Sequence, residues 1–156
     1  MEREHHYAVT TEWTGNTGTG TQSYRSYERS HEIRVENKAG IQGSSDPAFR
    51  GDKTKHNPED LLLASLSACH MLWFLHFCSE AEVIVTAYTD HAVGTMAETS
   101  NGSGHFTEVI LRPQVVVTHA SMIDTANALH TKAHQYCFIA NSVNFPVRHE
   151  PVCTVA

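Results

Sequence analysis

The dominant pattern in the chain is a run, residues 61–78, in which nearly every position is apolar or small. It lies within NPEDLLLASLSACHMLWFLHFCSE, residues 57–80. A helix apolar all round is one buried on all sides, so the run predicts the central helix of a domain. Asn57 suits the N-cap, Pro58 the first helical position, and Glu59 and Asp60 the positive helix end. The length raises a membrane span, but Ser65, Ser67, His70, His76 and the lack of a second span argue against one. Before this helix, residues 7–36 read as strands: 7–13, a turn through Gly15-Asn16-Thr17-Gly18, the segment TQSYRSYER, and 31–35. Residues 37–57 are rich in Gly, Ser, Asp and Lys and read as loop, with Arg50 in its PAFRGD element. After the helix, strands are expected over 83–88, 91–97, 106–111 and 115–119, with a Ser-Asn-Gly-Ser-Gly turn at 100–104, as an antiparallel meander. Ser121 is read as the cap of a second helix that carries Asp124 in its first turn and runs to about Cys137. The tail from 141 onward adds a last strand. Strands here do not alternate with helices, so the fold class is α+β in a single domain, residues 1–156.

Composition narrows the function classes. The chain is 40% hydrophobic and 18% charged, as in a soluble globular domain, with a net charge of −6 and no Lys/Arg block. Nucleic acid is therefore not an expected partner, because phosphate binding needs clustered positive charge. The opening MEREHHYAV has neither an apolar core nor a small-residue cleavage site, so no secretory signal is read and the expected compartment is the cytoplasm. In a reducing compartment the four cysteines, Cys69, Cys78, Cys137 and Cys153, are not expected to be structural staples. Thiol chemistry, metal binding or plain burial remain. There is no CxxC, and the 12 histidines keep a metal site in view.

Cys69 stands about eleven residues into the central helix, beyond the first turn where the helix dipole acts. Apolar surroundings would raise its pKa, so a reactive Cys69 needs a cation from elsewhere to stabilise the thiolate, which is the nucleophile. Arg25, Arg29 and Arg50 are the arginines at hand. Cys137 falls at the C-terminal end of the second helix, which disfavours a thiolate. That asymmetry suits a peroxide-attacking Cys69, which becomes a sulfenic acid, and a Cys137 that condenses with it to a disulfide. Cys78 points about 180° away from Cys69 around the same helix and cannot pair with it.

The segment NPEDLLLASLSAC, residues 57–69, resembles the N-P-E-(x)-L-(x8)-C segment of the OsmC/Ohr family of hydroperoxide reductases. AHQYC, residues 133–137, is similar to the Ala-His-x-x-Cys before that family's second cysteine. The resemblance also covers element order over nearly the whole chain. It implies an OsmC-like fold of antiparallel sheets around two central helices in an intertwined homodimer, with the sites at the interface. It further implies that Cys69 is the peroxidatic cysteine, Cys137 the resolving one, and that Glu59 pairs with an active-site arginine, Arg29 or Arg50, and holds it against the sulfur. Arg29 is slightly favoured because it is read on a strand. By helix geometry Glu59 and Cys69 are about 15 Å apart along the axis and point roughly 80° apart. Glu59 is therefore expected to serve the Cys69 of the second subunit. The family's second cysteine is usually followed by Pro; here Phe138 follows, which marks a divergent branch.

The resulting expectation is a thiol-dependent peroxidase that reduces organic hydroperoxides, and H2O2 as a second substrate, with no metal or organic cofactor. A dithiol, of lipoyl type by family analogy, would reduce the disulfide again. Two alternatives stay open. One is a catalytically silent OsmC-like dimer that binds a small apolar ligand. The other is a metal-binding protein using His130, His134 and Cys137, which share a helix face by their spacing. Trp73, Phe74 and Phe77 are read as dimer core, with some aromatics lining the apolar cleft that an organic hydroperoxide needs.

Overall fold

The computed structural model describes residues 1–156. The chain forms two compact units, Met1–Leu61 and Leu62–Ala156. In the first, strands β1 (Thr10–Trp13), β2 (His31–Arg34) and β3 (Ile41–Gly43) make an antiparallel sheet in that order. The register pairs Trp13 with His31 and His31 with Gly43. The TQSYRSYER segment is a set of turns rather than a strand. The Asn16 side chain accepts from the Gly18 and Gly20 amides, and the Ser26 hydroxyl accepts from Ser23 N–H at 2.9 Å. These local side-chain bonds satisfy backbone groups that a ladder would otherwise take. Gly15 is fixed by close approach: a β-carbon there would meet the Glu28 carbonyl oxygen at 1.9 Å. The 37–57 stretch, read as loop, contains β3 and a short 3-10 turn, Pro47–Phe49. Within this unit only Gly15, Gly43 and Ser44 are buried.

Helix α1 (Pro58–Glu80) starts as its sequence signals indicate. Asp60 N–H donates to Asn57 Oδ1 at 2.8 Å, and Asn57 N–H donates to the Asp60 carboxylate at 3.3 Å, a reciprocal cap. The expectation of burial on all sides is corrected. Leu66, His70, Phe74, Phe77 and Cys78 are buried, a single face at helical spacing, whereas Leu72 is 62% exposed.

The second unit holds two three-stranded sheets. One is β4 (Val85–Asp90), β7 (Pro113–Val117) and β9 (Val152–Val155); the other is β5 (Val93–Glu98), β6 (Gly104–Leu111) and β8 (Val147–His149). The β4–β7 and β5–β6 pairs are antiparallel, but β8 and β9 join as parallel edges, so both sheets are mixed. Helix α2 (Ile123–Tyr136) follows β7. Its N-cap position is Met122, without a side-chain cap; Ser121 lies in the preceding 3-10 turn, Ala120–Met122. The fold class is α+β, as its sequence pattern indicates. Phe74, Phe77 and Cys78 of α1 pack with Val83, Val115, Val117 and α2's Ala126 and Ala133. Two turns earlier in α1, Leu66 packs with Val109, Leu111 and Val147. The long helix is thus the common wall of both cores. Asp90 ties it to the strands, accepting from Ser67 Oγ and from Arg112 N–H, both at 2.6 Å.

Candidate functional site: a dithiol beside a buried imidazole cluster

Helices α1 and α2 bring Cys69 and Cys137 together. Both thiols are reduced, and they are near enough that Cys69 acts on the Cys137 thiol. Cys69 is half-buried on α1 and Cys137 is 1% exposed. Cys137 occupies the C-cap of α2 in an extended conformation (φ −65°, ψ 109°), and its amide donates to the His134 carbonyl. Ala140 N–H donates to Cys137 Sγ at 3.4 Å. Burial pushes the Cys137 thiol up to about 11, and the neighbouring Cys69 adds to this against the pull of the Ala140 amide. At neutral pH Cys137 is a protonated thiol held against the sulfur it would have to attack.

The other two cysteines do not join this pair. Burial drives Cys78 up to about 12, and Cys153 is also raised. Both pack in the core around Phe74 and Phe77.

Aromatic rings flank the dithiol. Trp73, one turn after Cys69, stacks on Phe77 at 5.4 Å and meets Tyr136 and Phe138, the neighbours of Cys137, at 5.4 Å each. Phe138 is 65% exposed and Tyr136 50% exposed. Leu72, Trp73 and His76 line an open cavity of about 260 Å³. Phe74 and Phe77, read as dimer core, are buried within this chain instead.

Next to the thiols is a cluster that sequence reasoning did not assemble. His70 Nε2 and His130 Nδ1 share a 2.9 Å hydrogen bond with both residues fully buried. Their rings are parallel within 4°. His149 of β8 lies against both, at 5.7 and 6.0 Å, and His134 lies 6.0 Å from His149. Phe74 stacks on His130 at 4.0 Å. Burial pushes His70 down to about 4 and His130 down to about 3, and the neighbouring imidazoles add to it. The rings are neutral at pH 7. His130, His134 and Cys137 do not converge as a ligand set, and no group of three or more His, Cys, Asp or Glu side chains does. His130 is committed to His70, and Cys137 to Cys69. The sequence contained one signal, His70 beside Cys69; His149 reaches the cluster only through the parallel β6–β8 pairing.

The remaining expected site residues are in the first unit. Arg29 is not on a strand but in the segment between Tyr27 and β2. Its guanidinium donates to the Tyr27 and Tyr24 carbonyls, at 2.5 and 2.6 Å, and lies over both rings, 4.0 Å from Tyr27 and 4.4 Å from Tyr24. Arg50 caps the 3-10 turn in the left-handed region (φ 63°), 6.0 Å from the Tyr24 ring. The two candidates thus share one tyrosine, and Arg29 is the more firmly held. Glu59 lies in the first turn of α1, and its Oε2 is buried without a hydrogen-bond partner.

Comparison with known proteins gives a consistent result. The family model for OsmC-like protein matches residues 51–151. An OsmC-like protein of unknown function from Vibrio cholerae is 31% identical over 96% of this chain and all of its own, with a TM-score of 0.86. An organic hydroperoxide resistance protein from Elizabethkingia anophelis, solved with thiocyanate bound, is 20% identical over 100% of this chain and 99% of its own, with a TM-score of 0.69. An organic hydroperoxide resistance protein from Legionella pneumophila is 14% identical over 99% of both chains, with a TM-score of 0.66. The last two likenesses are of fold. No curated protein matches the sequence.

Proposed function

Because the chain belongs to the OsmC-like family, we propose that it is a cytoplasmic thiol-dependent peroxidase that reduces organic hydroperoxides through Cys69 and Cys137. The observation that carries this reading is the contact between the two thiols, with Cys137 held protonated. The Cys69 thiolate attacks the distal peroxide oxygen. The O–O bond breaks, the alkoxide takes a proton to leave as ROH, and Cys69 becomes a sulfenic acid. Cys137 then gives up its proton and attacks that sulfur, forming the disulfide and releasing water. A dithiol of lipoyl type reduces the disulfide and closes the cycle.

An arginine beside Cys69 would hold the thiolate and stabilise the developing oxyanion. Arg29 is favoured over Arg50, because two carbonyls and two rings already fix its guanidinium. Glu59 is the partner assigned to it, in a homodimer where Glu59 serves the Cys69 of a second copy. Two features support the dimer. The first unit buries no large apolar side chain, leaving Trp13, Ile41 and Phe49 at 44, 38 and 40% exposure, and a sheet without a covered face is marginal in water. Glu59 Oε2 is buried but unpartnered, an arrangement that costs free energy until a donor arrives. The exposed rings around the dithiol favour substrates with an apolar R group over H2O2.

The test is consumption of cumene hydroperoxide with dihydrolipoamide as reductant. Wild type is expected to turn over, Cys69→Ser to be inert, and Cys137→Ser to consume one equivalent with dihydrolipoamide failing to sustain normal turnover. Wild-type consumption no faster than free cysteine would remove the peroxidase reading and leave a silent ligand-binding module.

A further inference from the structure

The buried imidazole pair does no work in the peroxide chemistry above, yet it sits where the two reactive helices meet. On α1, Cys69 and His70 are adjacent; on α2, His130 lies two turns before Cys137 at the C-cap. The His70–His130 bond is the only hydrogen bond between the two helices. A neutral nitrogen-to-nitrogen bond in a closed apolar site is costly to leave unmade, and Phe74 and His149 stack on the pair and limit how the rings can turn.

We infer that His70 and His130 are positioning residues for disulfide closure: their hydrogen bond fixes α1 against α2 and so holds Cys137 at Cys69. The inference rests on the proposed use of a Cys69–Cys137 disulfide but not on peroxide as the oxidant. The ionisable groups facing the pair are imidazoles, His134 from α2 and His149 from β8. The charged groups of neighbouring elements are engaged elsewhere. Arg148 binds Glu108 at 2.8 Å, Glu150 meets Arg112 at 3.4 Å, Asp90 binds Ser67, and Lys132 lies over Phe77. No carboxylate competes for either ring, so the pair bonds to itself.

The experiment equilibrates the protein with reduced and oxidised glutathione at pH 7.5. In this exchange the two cysteine thiols give up two electrons and two protons, and one glutathione disulfide becomes two thiols. Peptide mapping measures the Cys69–Cys137 disulfide. His130→Leu is expected to lower its equilibrium constant at least tenfold. His130→Asn, which keeps a hydrogen-bonding atom close to the Nδ1 position, should restore most of it. An unchanged constant in folded His130→Leu, or an equal loss in both variants, would overturn the inference. Should His130→Leu fail to fold, ¹⁵N-imidazole spectra of the reduced wild type decide. A nitrogen–nitrogen coupling across the His70–His130 bond is expected, and its absence would refute the clamp. A normal clamp result in a protein that ignores cumene hydroperoxide would remove the peroxidase reading and leave the positioning role standing.

Discussion

At the scale of the residue, two kinds of buried ionisable group set the pH behaviour. Cys137 is pushed up to about 11, yet its thiolate must form for the second step. Below that value each pH unit multiplies the thiolate fraction about tenfold. Disulfide closure, followed in stopped flow after a saturating first step, is therefore expected to accelerate steeply from pH 6 to 9. A flat profile would mean that another group removes the proton. His70 and His130 act on stability. Their ordinary value is 6.5, and in the fold they drop to about 4 and about 3, so the unfolded chain binds the extra protons. The stability is fully present above pH 6.5 and is lost as pH falls towards 4 and 3. Urea midpoints are expected to fall between pH 6.5 and 4.5, and His130→Asn should flatten that slope. The cysteines were legible as candidates from the family motifs, since Cys69 and Cys137 are 68 positions apart and nothing local links them. The histidine cluster was not legible, because it depends on three elements meeting.

At the scale of the element, local signals worked where the chain satisfies its own backbone and failed where it does not. The start of α1 is written in Asn57-Pro58-Glu59-Asp60, and the cap forms there. Asn57→Ala is expected to cost about 1 kcal/mol, read as a lower urea midpoint with thiol chemistry intact. The start of α2 carries no such code: Ser121 is a good cap by type, but the 3-10 turn places Met122 at the cap. TQSYRSYER has strand-like alternation, and serine and asparagine side chains turn it into loops. β8 and β9 are short, and their parallel partners lie about forty residues back in the chain. Phe74 is fully buried, packs in the core and stacks on His130. Phe74→Leu should cost about 1–2 kcal/mol and loosen the imidazole pair, seen as a broadened His130 imidazole signal.

At the scale of the whole molecule, the apolar run in α1 has more surface than one chain covers. Its core face is occupied, while Leu72 is 62% exposed beside Trp73 and His76. The sequence showed the excess hydrophobicity but could not say which face stays open. The proposed dimer predicts sedimentation as two 17.3 kDa chains, and Leu72→Asp should weaken association at least tenfold. Sedimentation of wild type as a single chain would contradict it. The assignment of Glu59 across the dimer has its own test. Co-expressed Glu59→Gln and Cys69→Ser chains should form a mixed dimer with one intact site, in which Glu59 of the Cys69→Ser chain serves Cys69 of the Glu59→Gln chain, and recover about half the wild-type activity per dimer. Failure of the mixed dimer to recover activity would place Glu59 with its own chain's Cys69.

The measurement that bears most directly on the proposed dithiol is thiol titration before and after one equivalent of an organic hydroperoxide. It would be run on wild type, Cys69→Ser and Cys137→Ser. The account predicts loss of two thiols in wild type, none in Cys69→Ser, and loss of one thiol in Cys137→Ser, with Cys69 as a sulfenic acid that excess peroxide oxidises further. Four thiols remaining in wild type would contradict it, and the contact between Cys69 and Cys137 would then serve packing alone.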